Sequence, residues 1–191
     1  MSRFQKNESG TGQSCQGRSV RWPNSGALVR NVIQISGIEF LQAIVNDELP
    51  QPPIAYLLRS RITGAAPGYV TFTWDPDESM NNPVGTIHAG VVATLLDAVL
   101  GCAVQSTLAA GYSYTSIDTH VQFLRTVYAG SGPLTAVGTV TRDGSRVAFA
   151  EGQVTDAQGA IVATGYGSIL INAPWSTETL RPKGSDVRRG G

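Results

Sequence analysis

Two kinds of periodicity divide the chain. Ile38, Leu41, Ile44 and Val45 recur at helical spacing after Ser36, and Pro50, Pro52 and Pro53 are expected to end that helix. Two short extended pieces are predicted next, Ala55–Ile62 and Gly68–Trp74, separated by Gly64-Ala65-Ala66-Pro67-Gly68. A polar loop, Asp75 to Thr86, leads into one long apolar helix, His88 to Leu108. Everything after Gly111 reads as strand. Thr115–Val127 alternates, with Ile117, Thr119, Val121 and Phe123 on one side and Ser116, Asp118, His120 and Gln122 on the other. Leu134–Thr141, Arg146–Thr155 and Ala160–Ile171 follow, joined by the hairpin signals Asp143-Gly144 and Asp156-Ala157-Gln158-Gly159. This order predicts an α+β class, an antiparallel sheet with a single helix packed on it. Glycines inside strands (Gly138, Gly152, Gly165, Gly167) mark close backbone approaches, expected here from the long helix.

That helix carries one charged side chain between Ala89 and Ala110, Asp97. Thr94, Asp97, Gly101 and Gln105 are three, four and four apart, so they form a narrow polar or small stripe on an apolar cylinder. Two readings are open. Either the stripe faces water, as most helical carboxylates do, or it lines a cleft in which a lone carboxylate does chemistry. The entry to the helix, Asn82-Pro83-Val84-Gly85-Thr86-Ile87-His88-Ala89-Gly90, favours the second. A helix start offers unpaired N–H groups and positive dipole, suited to an oxyanion. Ala89 and Asp97 lie roughly 12 Å apart along the axis at the standard rise, too far to share one carbonyl within a chain. A catalytic arrangement therefore requires two subunits packed about a two-fold axis.

Composition narrows the function classes. The 191 residues suit one domain, and the net charge is zero. The distribution of charge is uneven. Residues 1–30 hold five cations and one acid, residues 181–191 four cations and one acid, while residues 31–180 hold five cations against twelve acids and no lysine. Residues 1–30 are polar and aperiodic and are expected to be a disordered tail; 31–175 form the domain; 176–191 form a flexible basic tail. No global charge argument supports nucleic acid, and no period in residues 1–30 suggests a helix-turn-helix. Within the body only Arg59, Arg61, Arg125, Arg142 and Arg146 can meet an anionic ligand. Arg125 ends the long strand and Arg142 and Arg146 flank a hairpin, positions suited to phosphates, although a solvated arginine is the ordinary alternative at each. Cys15 and Cys102 sit in unlike settings and set out no disulfide framework, so a reducing cytoplasm is the expected compartment. The greasy run Val91–Val104 is too short to span a bilayer, and no membrane partner is expected. Two histidines and two distant cysteines argue against a metal site, and no cofactor is expected. Gly-x-Ser-x-Gly and phosphate-loop motifs are absent. Trp22, Trp74 and Trp175 read as packing anchors or terminal plugs.

The stretch Asn82-x-x-Gly85-x-x-His88-x-Gly90, with Asp97 nine residues after the histidine and Gln122-Phe123-Leu124-Arg125 later, resembles the hotdog-fold acyl-CoA thioesterases of the phenylacetic-acid-pathway (PaaI-like) type. The resemblance covers residues 55–172 and implies a curved antiparallel sheet wrapped around one long helix. It further implies a homodimer or dimer of dimers, acyl-CoA as substrate and active sites between subunits. By the same resemblance Asp97 is the general base or nucleophile, and the N–H groups of Ala89 and Gly90 polarise the thioester oxygen. Asn82 and His88 shape the loop and orient thioester or water, and Gly85, Thr94, Gln122, Arg125, Arg142 and Arg146 contact substrate. Two positions depart from the family pattern. Ala89 stands where a glycine is usual, which keeps the N–H but narrows the approach. Gln122 and Thr126 replace the usual asparagine and proline, which weakens the assignment of Gln122.

Three functions follow: thioester hydrolysis, a hydratase or dehydratase on the same fold, and a non-catalytic acyl-CoA binding module. The second class pairs a carboxylate with a histidine. His88 reads better as a loop buttress and His120 as a hydrogen-bonded strand residue at a subunit seam.

Overall fold

The structure, a computed structural model, describes residues 17–24, 26, 28, 31 and 34–174. Among these the elements run α1 (Gly37–Val45), α2 (Pro53–Leu58), β1 (Ser60–Ala66), β2 (Tyr69–Trp74), a 3-10 turn (Glu78–Met80), α3 (Ala89–Gln105), β3 (Ser113–Phe123), β4 (Leu134–Arg142), β5 (Val147–Thr155) and β6 (Ile161–Asn172). The six strands form one antiparallel sheet in the order β1-β2-β4-β5-β6-β3. The long helix α3 packs across its inner face, touching β2, β3, β4, β5 and β6. This is the curved sheet around a single long helix that the sequence implied. Most of the two basic termini, including Trp175, lies outside the described residues. Inside the span expected as a tail, Arg18 pairs with Asp77 at 2.8 Å and Leu28 is buried.

Local chemistry sets the element ends. Ser36 caps α1 in a reciprocal capping box: its hydroxyl receives the Glu39 N–H, and the Glu39 carboxylate receives the Ser36 N–H at 2.9 Å. A bond donated by the Ser36 hydroxyl to the same carboxylate at 2.6 Å, and after it the Ser36 N–H, hold the Glu39 carboxyl below its usual range. The helix ends at Asn46, where Asp47 turns to φ 62, and so stops before the prolines expected to break it. Pro53 instead starts α2, because its fixed φ and missing N–H suit the first helical position. The piece expected as extended from Ala55 is therefore helical as far as Leu58. Trp74 is fully buried and its indole N–H donates to the Leu58 carbonyl at 2.9 Å, which ties α2 to the sheet; Trp22, by contrast, is exposed.

The helix meets the sheet at backbone distance. Gly138, Gly152 and Gly165 are register partners on β4, β5 and β6 and form a row beneath α3. A Cβ at Gly138 would stand 2.2 Å from the Val99 carbonyl oxygen of α3. Gly167 differs from expectation: its crowding neighbour is the Asp118 carbonyl of β3, 2.3 Å from such a Cβ, not the helix. Gly138→Val should destabilise the fold by about 3 kcal/mol, the upper end for an overpacked core. Urea unfolding measures this, and an unchanged midpoint would show that helix and sheet separate freely.

Candidate functional site

Asp97 projects from the middle of α3 toward β3 and is half-buried. Its Oδ1 accepts two hydrogen bonds, from the Ser116 hydroxyl at 2.7 Å and from the Thr119 hydroxyl at 3.1 Å. Residues three apart on a regular strand point to opposite faces. Here a bulge between Ser116 and Asp118 absorbs Ile117, so both hydroxyls face the helix. The alternation expected along this segment holds after the bulge and is inverted before it. Ser116 consequently leaves the Asp118, His120 and Gln122 face, and sequence reasoning missed it as a site residue. Thr119 keeps the face that the alternation assigns it, with Val121 and Phe123.

The expected polar stripe of α3 spans three environments. Thr94 is exposed, and its hydroxyl donates to the Gly90 carbonyl at 2.9 Å. Asp97 is half-buried. Gly101 and Gln105 are buried, Gly101 so tightly that a Cβ would stand 2.3 Å from the Tyr114 ring. At Cys102, one position on, burial pushes the thiol up to about 12, away from the thiolate form, against the smaller opposing effect of a hydrogen bond with Tyr114.

The loop before α3 is held by Asn82. Its side-chain carbonyl receives the N–H groups of Val84 at 3.0 Å and Thr86 at 3.2 Å, and its amide donates to the Thr86 hydroxyl at 2.7 Å. Gly85 closes the turn at φ 84, a left-handed conformation suited to glycine. His88 is the N-cap of α3, and its Nδ1 receives the Gly90 N–H at 2.9 Å. That bond occupies the Gly90 donor. The Ala89 N–H has no acceptor among the described residues, so the two expected oxyanion donors reduce to one free group. Ala89 is exposed and, with Asn82, Thr86 and Arg125, borders a groove of about 260 Å³.

The remaining expected site residues are dispersed. Gln122 and Arg142 lie on the outer face of the sheet, away from α3, in the neighbourhood of His120 and Tyr166, whose rings stack at 5.0 Å. Asp118 on that face is held below the usual carboxylate range by the Ser168 hydroxyl first and the Ser168 N–H second. Arg146 is exposed beside the β4–β5 hairpin. Arg59 is engaged with Asp75 and Asp77, and Arg61 with Asp47, which leaves neither poised for an anion. The structure thus gathers one cluster around Asp97 and another around Ala89, separated along α3, and leaves Gln122 and Arg142 outside both.

The comparisons agree with this architecture. Residues 84–163 match the family described as Thioesterase superfamily. Human acyl-coenzyme A thioesterase 13 is 29% identical over 105 residues, 54% of this chain and 74% of that protein. A Halobacterium salinarum protein named as a candidate esterase is 37% identical over 95 residues, and the chain spans 61% of its length and 46% of its own. Among solved structures, the Escherichia coli PaaI protein from the phenylacetic acid degradation operon superposes with a TM-score of 0.64 at 21% identity. That match covers 73% of this chain and 98% of that one. A Streptococcus mutans protein solved with acetyl-CoA bound superposes at 0.55 and 21% identity, covering 60% and 90%. The segment that matches the family begins in the Asn82 loop and ends in β6, and so contains the Ala89 donor, Asp97 and both of its hydroxyl partners. The match identifies a thioesterase-superfamily domain over residues 84–163.

Proposed function

We propose that this protein hydrolyses acyl-CoA thioesters at a site completed by a second copy of itself. The observation that carries the proposal is the Asp97 carboxylate fixed by Ser116 and Thr119. Two hydroxyl donors on Oδ1 hold the group in one orientation and leave Oδ2 free for a water. That water loses a proton to Asp97 as its oxygen attacks the thioester carbon. The carbonyl oxygen, now an anion, is received by the Ala89 N–H of the other copy at the positive end of its α3. Collapse of the tetrahedral species breaks the C–S bond, and the proton held by Asp97 passes to the departing CoA sulfur. Asn82 and His88 act as buttresses of the loop that presents Ala89. Arg125, on the same groove, is the arginine best situated for a CoA phosphate.

Several features support a two-copy site. The donor and the carboxylate of one chain are separated by more than two helical turns. β3 is an edge strand, and Ile117 and Phe123 along it and Leu124 just beyond it are exposed, as is Val84 (83% accessible) beside the helix start. A relative bound to acetyl-CoA supports the ligand class. Within one chain neither histidine stands beside Asp97, as the hydratase alternative would need: His88 caps the start of α3 and His120 stands on the opposite face of the sheet.

Asp97→Asn should lower turnover by roughly a hundredfold or more while leaving the melting temperature nearly unchanged. A thiol-release assay on a panel of acyl-CoAs measures it, and full activity in the variant would remove Asp97 from the mechanism. Ser116→Ala should reduce kcat by about tenfold with little change in KM, since a hydrogen bond to a charged group is lost away from the CoA-binding surface. An effect on KM alone would assign Ser116 to binding instead. Subunit mixing tests the shared site. Ala89→Pro deletes the N–H at a first helical position that accepts proline, after an extended His88. Each single variant should be nearly inactive, whereas mixed oligomers of Ala89→Pro and Asp97→Asn should regain activity because one intact site reforms. No recovery in verified mixed oligomers would place both groups in the same subunit's site.

A further inference from the structure

The bulge that aims Ser116 and Thr119 at Asp97 has a support of its own on the far side of the sheet. β3 and β6 pair in register from Ser113 and Asn172 to Ser116 and Ile169, and pairing resumes at Asp118 and Ser168, so Ile117 is the extra residue. An extra residue interrupts the ladder and leaves backbone groups to be met by other means. Here a side chain meets one of them. The Ser168 N–H donates to Asp118 Oδ1 at 3.0 Å, and the Ser168 hydroxyl donates to Asp118 Oδ2 at 2.6 Å. The carboxylate stands in for a backbone acceptor, and both of its oxygens close on one residue of β6.

Two further observations tie Asp118 to the bulge rather than to a surface ion pair. His120 Nε2 stands 3.9 Å from its carboxylate, beyond hydrogen-bond reach. Aspartate is also a poor strand former, so its place here needs a local reason. On the inner side Gly167 makes the room. The Asp118 carbonyl oxygen would lie only 2.3 Å from a Cβ at Gly167. β6 thus yields to the displaced backbone with a glycine and grips it from outside through the next residue, Ser168.

We infer that Asp118 is a positioning residue for the reaction: by holding the Ile117 bulge against β6 it keeps both hydroxyls on the Asp97 oxygen. Asp118 borders the outer face of the sheet and acts across β3, touching neither Asp97 nor the groove beside Ala89. Released from Ser168, β3 can lose its extra residue, and a regular strand presents position 116 or position 119 to the helix, not both. Asp97 then keeps one hydroxyl and turns more freely. The inference rests on the hydrolase reading for its effect on turnover, but not for its effect on the geometry.

Substitution at 118 tests it. Asp118→Ala should lower kcat by roughly tenfold with KM nearly unchanged, the size expected when one hydrogen bond to a charged group is lost. Asp118→Asn should stay within about threefold of the wild type, because its side-chain carbonyl still receives the Ser168 N–H. In a Ser116→Ala/Thr119→Val background no hydroxyl remains to be aimed, and Asp118→Ala should cost nothing further. A merely structural role would lower turnover equally in both backgrounds, and that result overturns the inference. Wild-type kcat in Asp118→Ala overturns it as well. Ser168→Ala, which removes only the hydroxyl donor, should lower kcat by about threefold. It decides the matter if Asp118→Ala does not fold, and an unchanged kcat then counts against the inference. A crystal structure of the Asp118→Ala protein separates the two proposals. One of the two hydroxyls should stand beyond hydrogen-bond distance of Asp97, and both still in place would overturn the positioning role whatever the activity. A displaced hydroxyl, with no thiol released from any acyl-CoA by the wild type, refutes the hydrolase reading and keeps the positioning role. Thiol release unchanged in the variant, with both hydroxyls in place, refutes the positioning role and keeps the hydrolase.

Discussion

The contact that organises this molecule is the backbone-to-sheet approach of α3. A row of three glycines under the helix lets the Val99 carbonyl sit where any side chain on β4 would collide. With the helix that close, a short aspartate side chain on its flank comes within reach of hydroxyls on β3. A larger separation would leave Asp97 to water, where neither Ser116 nor Thr119 could hold it. The closeness of one interface and the orientation of one carboxylate are thus the same fact seen at two scales.

The bulge at Ile117 is the second half of that constraint. Without it β3 could offer Asp97 a residue at 116 or at 119, but not both. The extra residue costs a ladder position and turns an isoleucine outward at a sheet edge. In return two donors converge on one oxygen, leaving the other available. At the far end of the helix the Asn82 amide, the Gly85 turn and the His88 cap use up the loop's own polar groups, and the Ala89 N–H is the donor that remains. A catalytic reading follows from this division of the helix: a fixed acceptor in the middle, a free donor at the start, and more than two turns between them.

Much of this was legible in the sequence. Long-range order came from strong local signals, the apolar run of α3, the alternation of Thr115–Val127, and the Asp-Gly and Gln-Gly turns that join the last three strands. Asp97 stood out because it is charged in an apolar helix, and the helix start because of its turn residues. What escaped notice depended on parity and on partners. A bulge has no signature in a pattern of alternating residues, so Ser116 was assigned to the wrong face. Proline reads equally as a stop for one helix and a start for the next, so the pattern alone does not distinguish α2 from an extended piece. The stripe from Thr94 to Gln105 looked uniform because helical spacing says which residues align, not what covers them; α1 and β3 cover its second half. Gln122 falls on the outer sheet face with His120 because strand parity along β3, not the motif it belongs to, sets its direction, and Arg142 reaches that face from a different strand, β4, beyond an irregularity between Val140 and Arg142.

The central claim is that one copy's Asp97 and another copy's helix start act on the same carbonyl. A crystal structure of the Asp97→Asn protein with a non-hydrolysable acyl-CoA analogue tests it most directly. The account expects the analogue's carbonyl oxygen within hydrogen-bond distance of the Ala89 N–H of one copy, and its carbonyl carbon facing residue 97 of the other. An analogue bound wholly within one chain, or with its carbonyl pointing into solvent away from both groups, would contradict it.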